Sequence, residues 1–236
     1  MLTAYFDESG IHDGDHLCVV AGYVGNDAQW HAFAKGWITA LGSRKSLHMR
    51  KIRNFRRAAQ LLAKLGPLPE QYHLQKIVGG VWWKDYKGIL KGRIPKRFTD
   101  PYMLAVQACL FQTMGYLDRT DQIAFCLSRQ DVHERVIAEL DNYVFKQQRV
   151  DSRVKDIHFL SPHATVCFEP ADYLAFEVRE YKSHEDSEKA RIGFSILGDG
   201  KAVGYIYTPE RLHERYPDLP IKHFPKSGLF NILEGN

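Results

Sequence analysis

The sequence predicts an α/β protein, a mixed sheet flanked by helices. Two β-rich segments meet across a turn near the start, strand-like and helix-like segments alternate after them, and 44% of the 236 residues are hydrophobic. That is enough apolar material to bury a sizeable core in a single domain. An antiparallel opening pair followed by alternation predicts both parallel and antiparallel neighbours in one sheet.

The elements follow in order. "LTAYFD" alternates Leu2, Ala4 and Phe6 with Thr3, Tyr5 and Asp7, the period of a strand with two different faces. "HLCVVAGYVG" follows the turn "ESGIHDGD" and completes a hairpin, with Gly10 serving the turn. Asn26 or Asp27 can cap a helix that runs to Leu41 and stops at Gly42, and "NFRRAAQLLAKLG" reads as a second helix ended by Gly66 and Pro67. "YHLQKIVGGVWW" is the next strand. Asp100 and Pro101 open a largely apolar helix that brings Leu104, Gln107, Leu110, Phe111, Met114 and Leu117 near one another. "QIAFCLS" suits the middle of a sheet, and "DVHERVIAELDNYVF" is an amphipathic helix with Asp131 near its start. "DIHFLSPHATVCFE" has β character around a Ser-Pro turn. "EPADYLAFEVREY" is a helix with Glu169 near its start, Pro170 in the first turn and Asp172 two residues on. "KSHEDSEKAR" reads as a charged loop, and the tail beyond it carries no dominant period.

No apolar run approaches the ~20 residues of a membrane helix, and the start lacks the basic-then-apolar order of a signal peptide. A soluble, cytoplasmic chain is expected. Cys18, Cys109, Cys126 and Cys167 stand singly in apolar segments, as small core residues rather than disulfide or zinc partners. The net charge of +4 says little about partners, but its distribution says more. No acid falls between Asp27 and Glu70, whereas Lys35, Arg44, Lys45, Arg50, Lys51, Arg53, Arg56, Arg57 and Lys64 all do. A second basic run, Lys84 to Phe98, directly follows Trp82 and Trp83. Cations interleaved with aromatics suit a phosphate backbone with exposed bases, and a solvated basic surface is the alternative. Trp82 and Trp83 face opposite sides of a strand, so one can pack in the core while the other stacks on a base, or both can pack.

"YFDESG" at the start, the basic "LHMRKIRN" after the first helix and the late "EPADYLAFEVREY" resemble the motif order of the domain-of-unknown-function family 3800, over residues 2–182. The Asp-Glu-Ser-Gly and Ala-Asp-x-Leu-Ala stretches are its specific parts. The resemblance implies a ribonuclease H-like fold: one domain over 1–236, with an insertion around 43–98 and a C-terminal extension from about 183. It implies a bacterial or mobile-element setting and a divalent metal, Mg²⁺ or Mn²⁺, held by Asp7 of the first strand and Asp172 of the late helix. Glu169 and Glu177 are possible helpers. Clustered carboxylates resist ionising together, and a cation of high charge density is the usual remedy. Two such ions about 3.5–4 Å apart can activate a water and stabilise the leaving oxygen of a phosphodiester. Family members often carry an acid at the end of the strand corresponding to "IAFCLSRQD", where Ser128 stands in this chain and the nearest acid is Asp131. The catalytic set is therefore Asp7 and Asp172 with Glu8 or Asp131 supplying the missing acid, or the site lacks nuclease activity.

Each residue has a plainer reading. Asp7 could be a turn acid bonding the backbone of Ser9 or Gly10, and Asp172 could complement a helix dipole. Glu8, Asp131, Glu169 and Glu177 could be surface or capping acids. His48 is either a metal-proximal acid or phosphate contact, or an ordinary polar residue of a basic segment. His12 and His16 flank a turn whose composition alone explains them. A nucleic-acid interface built from His48, Arg50, Lys51, Arg53, Arg56, Arg57 and Lys84 is expected. The function expected is metal-dependent hydrolysis of RNA or DNA. The alternatives are a nucleic-acid-binding module without catalysis, or an interaction subunit of a mobile-element or defence system that meets an acidic protein.

Overall fold

The alternation in the first segment lays down strand β1 (Leu2–Ser9), with Ala4 and Phe6 buried on one face and Tyr5 packed on the other. The computed structural model describes residues 1–12, 14–52, 55–90, 100–128, 152–198, 202–208 and 210–212. Strand β2 (Leu17–Asn26) returns antiparallel to β1, setting Asp7 opposite Ala21. Gly10 begins the turn between them at φ 77°, and a side chain there would run into the carbonyl of Leu17, so the position needs glycine.

Helix α1 (Asp27–Leu41) starts in a capping box: Asn26 Oδ1 accepts from the Gln29 amide, and Gln29 Oε1 accepts from the Asn26 amide. Gly42, at φ 63°, ends it. Helix α2 (Phe55–Leu65) follows, then strand β3 (Gln75–Trp82), antiparallel to β2. Helix α3 (Pro101–Tyr116) is opened by Asp100, whose side chain accepts from the Tyr102 amide. Strands β4 (Ile123–Ser128) and β5 (Val154–Leu160) run parallel to β1 and to each other. Helices α4 (Glu169–Ser183) and α5 (Glu188–Ser195) precede strand β6 (Val203–Tyr207), which lies parallel to β3.

The six strands form one mixed sheet in the order β5-β4-β1-β2-β3-β6, and β2 alone among them runs against the rest. A mixed sheet flanked by helices is the architecture the sequence predicts, and its order is consistent with the ribonuclease H-like fold. Helix α3 packs on one face over β2, β3 and β6, and Phe6, Val20, Ile77, Phe125 and Leu127 belong to the buried cluster of that face. Helices α1, α2 and α4 cover the other, with Trp37, Tyr23, Leu62 and Leu174 inside. Strand β3 falls within 43–98 and strand β6 lies beyond 183, and both belong to the sheet.

Two segments depart from expectation. "ATVCFE" is not a strand: Thr165 Oγ1 accepts from the Cys167 amide and starts a 3-10 turn, Val166–Phe168, that feeds directly into α4. "KSHEDSEKAR" is not a loop throughout, because the Ser187 hydroxyl caps α5 at the Ala190 amide. Trp82 and Trp83 pack on opposite faces, and Trp83 Nε1 donates to the Gly10 carbonyl at 2.8 Å, so Trp83 is employed in holding the first turn. The four cysteines are buried and free. Among the described residues no helix is long and apolar enough to cross a membrane. The helix expected around Asp131 lies outside the described residues.

Candidate functional site

Because β1, β4 and β5 are parallel, their carboxyl ends meet at one edge of the sheet, the place where open α/β sheets bind ligands. Phe6 is in register with Leu127, which sets Asp7 beside Ser128. A cavity of about 730 Å³ opens there. Asp7 and Glu8 form its floor, Gly10 to His12 and Asp15 one side, and Ile38, Leu41 and the segment Arg44–His48 with Arg50 another. Pro162, His163, Thr165 and Val166 follow β5 along its border, and α4 contributes Glu169, Asp172, Phe176 and Arg179.

Asp7 is a strand residue, not a turn acid. It is 7% exposed, and its Oδ1 accepts from the Glu8 amide at 2.9 Å. Burial, and after it the charge of Asp172, push its carboxyl up to about 7. Glu8 is equally buried, and burial together with Asp7 holds its carboxyl well above the usual range. Its Oε1 has no hydrogen-bond partner, and neither acid pairs with a basic side chain among the described residues. Ser128 Oγ is also buried and closes no hydrogen bond of full geometry, yet its hydroxyl dipole favours the charged form of Asp7. Ser128 therefore stands where the sequence placed it, beside the first-strand acid.

Asp172 occupies the first turn of α4, and its Oδ2 accepts twice: from the Met49 amide at 2.8 Å and from His48 Nδ1 at 2.9 Å. This bond is the main reason His48 is held above its ordinary range. Glu169, one turn earlier, accepts at Oε2 from Trp37 Nε1 at 2.7 Å and the Leu47 amide at 2.9 Å. The two acids thus latch residues 47–49 onto α4, at the start of the 3-10 turn Met49–Lys51. Glu169 serves as this latch and also lines the cavity with Asp7 and Asp172. Glu177 is buried beneath α5, its carboxylate against Gly193, and does not line the cavity.

The site brings together Asp7, Glu8, Asp172, His48 and Arg50. Lys51 is exposed and Lys84 lies over the Trp82 ring, 5.7 Å from its centroid; neither lines the cavity. Arg53 and Asp131 lie outside the described residues, and the side chains of Arg56 and Arg57 are not described. Arg44, Lys45 and Arg179 join the rim without having been singled out; the first two stand in the acid-free run, and Arg179 follows Asp172 by seven residues, the same helical face.

The donors suit a hard cation in kind, being carboxylate oxygens with an orphaned buried oxygen among them. Among the described residues no three His, Cys, Asp or Glu side chains are assembled to hold a metal. Mg²⁺ is commonly held by only one or two carboxylates, with water and substrate phosphate completing its shell. Comparison with protein-family models and with curated proteins finds no match, so the resemblance to family 3800 rests on its motifs.

Proposed function

We propose that this chain is a divalent-metal-dependent nuclease that hydrolyses phosphodiester bonds of RNA or DNA. The observation that carries the reading is a pair of acids, Asp7 and Asp172, whose charges act on each other at the floor and wall of one cavity rimmed by Arg44, Lys45, Arg50 and Arg179. Asp7 and Asp172 would hold Mg²⁺ or Mn²⁺, which when bound lowers the pKa of a water and offsets charge on the phosphoryl oxygens. The chain's own residues do the rest. His48 Nδ1 and the Met49 amide fix the Asp172 carboxylate, the rim cations draw in the phosphates, and burial beside Asp7 holds the Glu8 carboxyl well above its usual range. The four free buried thiols suit a reducing cytoplasm.

A second reading has its own support. With Ser128 in place of an acid and no preformed three-ligand cluster among the described residues, the chain would bind nucleic acid without cutting it.

Calorimetric titration of Mn²⁺ separates the two, with folding checked by circular dichroism. Wild type is expected to bind the ion, and Asp7→Asn and Asp172→Asn to lose binding while folded. Cleavage of single-stranded and duplex substrates should fall at least about 100-fold in both variants. Salt-sensitive binding of nucleic acid with no Mn²⁺ binding and no cleavage would replace the nuclease reading by the second.

A further inference from the structure

Arg179 stands apart from the other rim cations, on α4 rather than on the 44–50 wall. Its aliphatic stem lies against Gly10, where its Cδ would be 2.9 Å from any added side chain, and its guanidinium lies 5.4 Å from the centroid of Phe176. Nη2 donates to Glu180 Oε1 at 2.8 Å, while Nη1 is 3.6 Å from Asp15 Oδ1, beyond hydrogen-bond reach. A guanidinium carries five N–H donors, so this one is positioned by packing, by a hydrogen bond to Glu180 and by an ion pair with Asp15, with N–H donors left over. The side chain is 24% exposed and borders the cavity.

Its place relative to the acids is set by the helix. Asp172, Phe176 and Arg179 lie on one face of α4, and seven residues at the helical rise put Arg179 about 10 Å along the axis from Asp172. The other rim cations sit at the opposite end, because Glu169 and Asp172 latch the segment that carries Arg44, Lys45 and Arg50 to the first turn of α4. Cations therefore flank the acids on both sides. A single phosphate at the acids could use only one flank, whereas a chain of phosphates uses both.

Resting on the nuclease reading, we propose that Arg179 is a phosphate-positioning residue that grips a nucleic-acid strand on the far side of the acids from the 44–50 wall. The substrate is then a polynucleotide lying along α4, not a free nucleotide or a phosphomonoester. The guanidinium fork matches two phosphate oxygens, which a lysine ammonium cannot do.

The test is binding of a fluorescein-labelled single strand by anisotropy in EDTA, across a salt series. Arg179→Gln should weaken binding and reduce the slope of log K against log salt by about 0.7, the contribution of one phosphate contact on a single strand. Arg179→Lys should restore the slope with reduced affinity. Arg179→Met keeps the stem packing and decides the matter if the glutamine variant melts early. An unchanged slope in a folded Gln or Met variant overturns the proposal while leaving the nuclease reading intact. Mononucleotide competing as tightly as the strand overturns the polynucleotide claim, and wild type that binds no strand either in EDTA or with Ca²⁺ present overturns both this proposal and the reading beneath it.

Discussion

Asp7 carries its charge in a place that disfavours charge. Its carboxyl ionises near neutrality in the folded chain but at about 3.8 in the unfolded one. Between those values the folded state holds a proton that the unfolded state has released, so stability falls as pH rises through the interval. The stabilising contribution is full below the unfolded value and gone above the folded one. Metal-free protein should therefore melt at a higher temperature at pH 5 than at pH 8. Asp7→Asn in EDTA should flatten this dependence and raise the melting temperature at pH 8, by about 2–4 °C for each kcal/mol relieved. Differential scanning fluorimetry across pH checks it, and a wild-type curve that rises from pH 5 to 8 with no change in the variant would remove the basis for strain at Asp7. The acid itself was legible in "YFDESG", since a second acid stands beside it and the stretch resembles a family motif. What the sequence did not carry was Glu169's partner, because Trp37 lies 132 residues away and the bond exists only once α1 and α4 pack on the same face.

At the scale of elements, the latch between α4 and residues 47–49 is the part most open to perturbation. Glu169 accepts two hydrogen bonds as a part-buried carboxylate, and bonds to charged groups contribute about 1.5–3 kcal/mol each where both partners are well placed. Glu169→Ala is expected to lower stability by about 1–3 kcal/mol in urea denaturation and also to weaken nucleic-acid binding, since the basic wall loses its anchor. Trp37→Phe removes the indole donor and also leaves a cavity at a fully buried position, so it should lower stability by a comparable or larger amount. An alanine variant with wild-type stability and wild-type affinity would mean that residues 44–50 hold their place without α4. Helix boundaries were readable where local chemistry dictates them, as at Asn26 with Gln29 and at Asp100 with Pro101. They were misread where a single hydroxyl decides, at Thr165 and Ser187, because a serine or threonine in a polar stretch looks the same whether it caps or not.

For the whole molecule, the order of strands was recoverable only in part. The hairpin and the central apolar strand follow from periodicity, whereas the crossing that sets β4 beside β1 and β6 beside β3 is a tertiary choice with no local signature. The same topology gives the two sides of the cavity very different mechanical standing. β1 is hydrogen-bonded on both edges, to β2 along Leu2–Ser9 and to β4 along Leu2–Phe6. The amides of its buried middle should exchange with deuterium only through global opening, while those of Leu47 and Met49, each tied to one carboxylate, should exchange through local opening. Because Met49 reports on Asp172 and Leu47 on Glu169, the two amides form an internal ruler for the proposed ion. A cation drawing on the Asp172 carboxylate weakens it as an acceptor, so Mg²⁺ should speed exchange at Met49 and leave Leu47 unchanged. The chain would thus announce metal occupancy through one backbone proton, read by hydrogen-exchange NMR with no substrate in the tube.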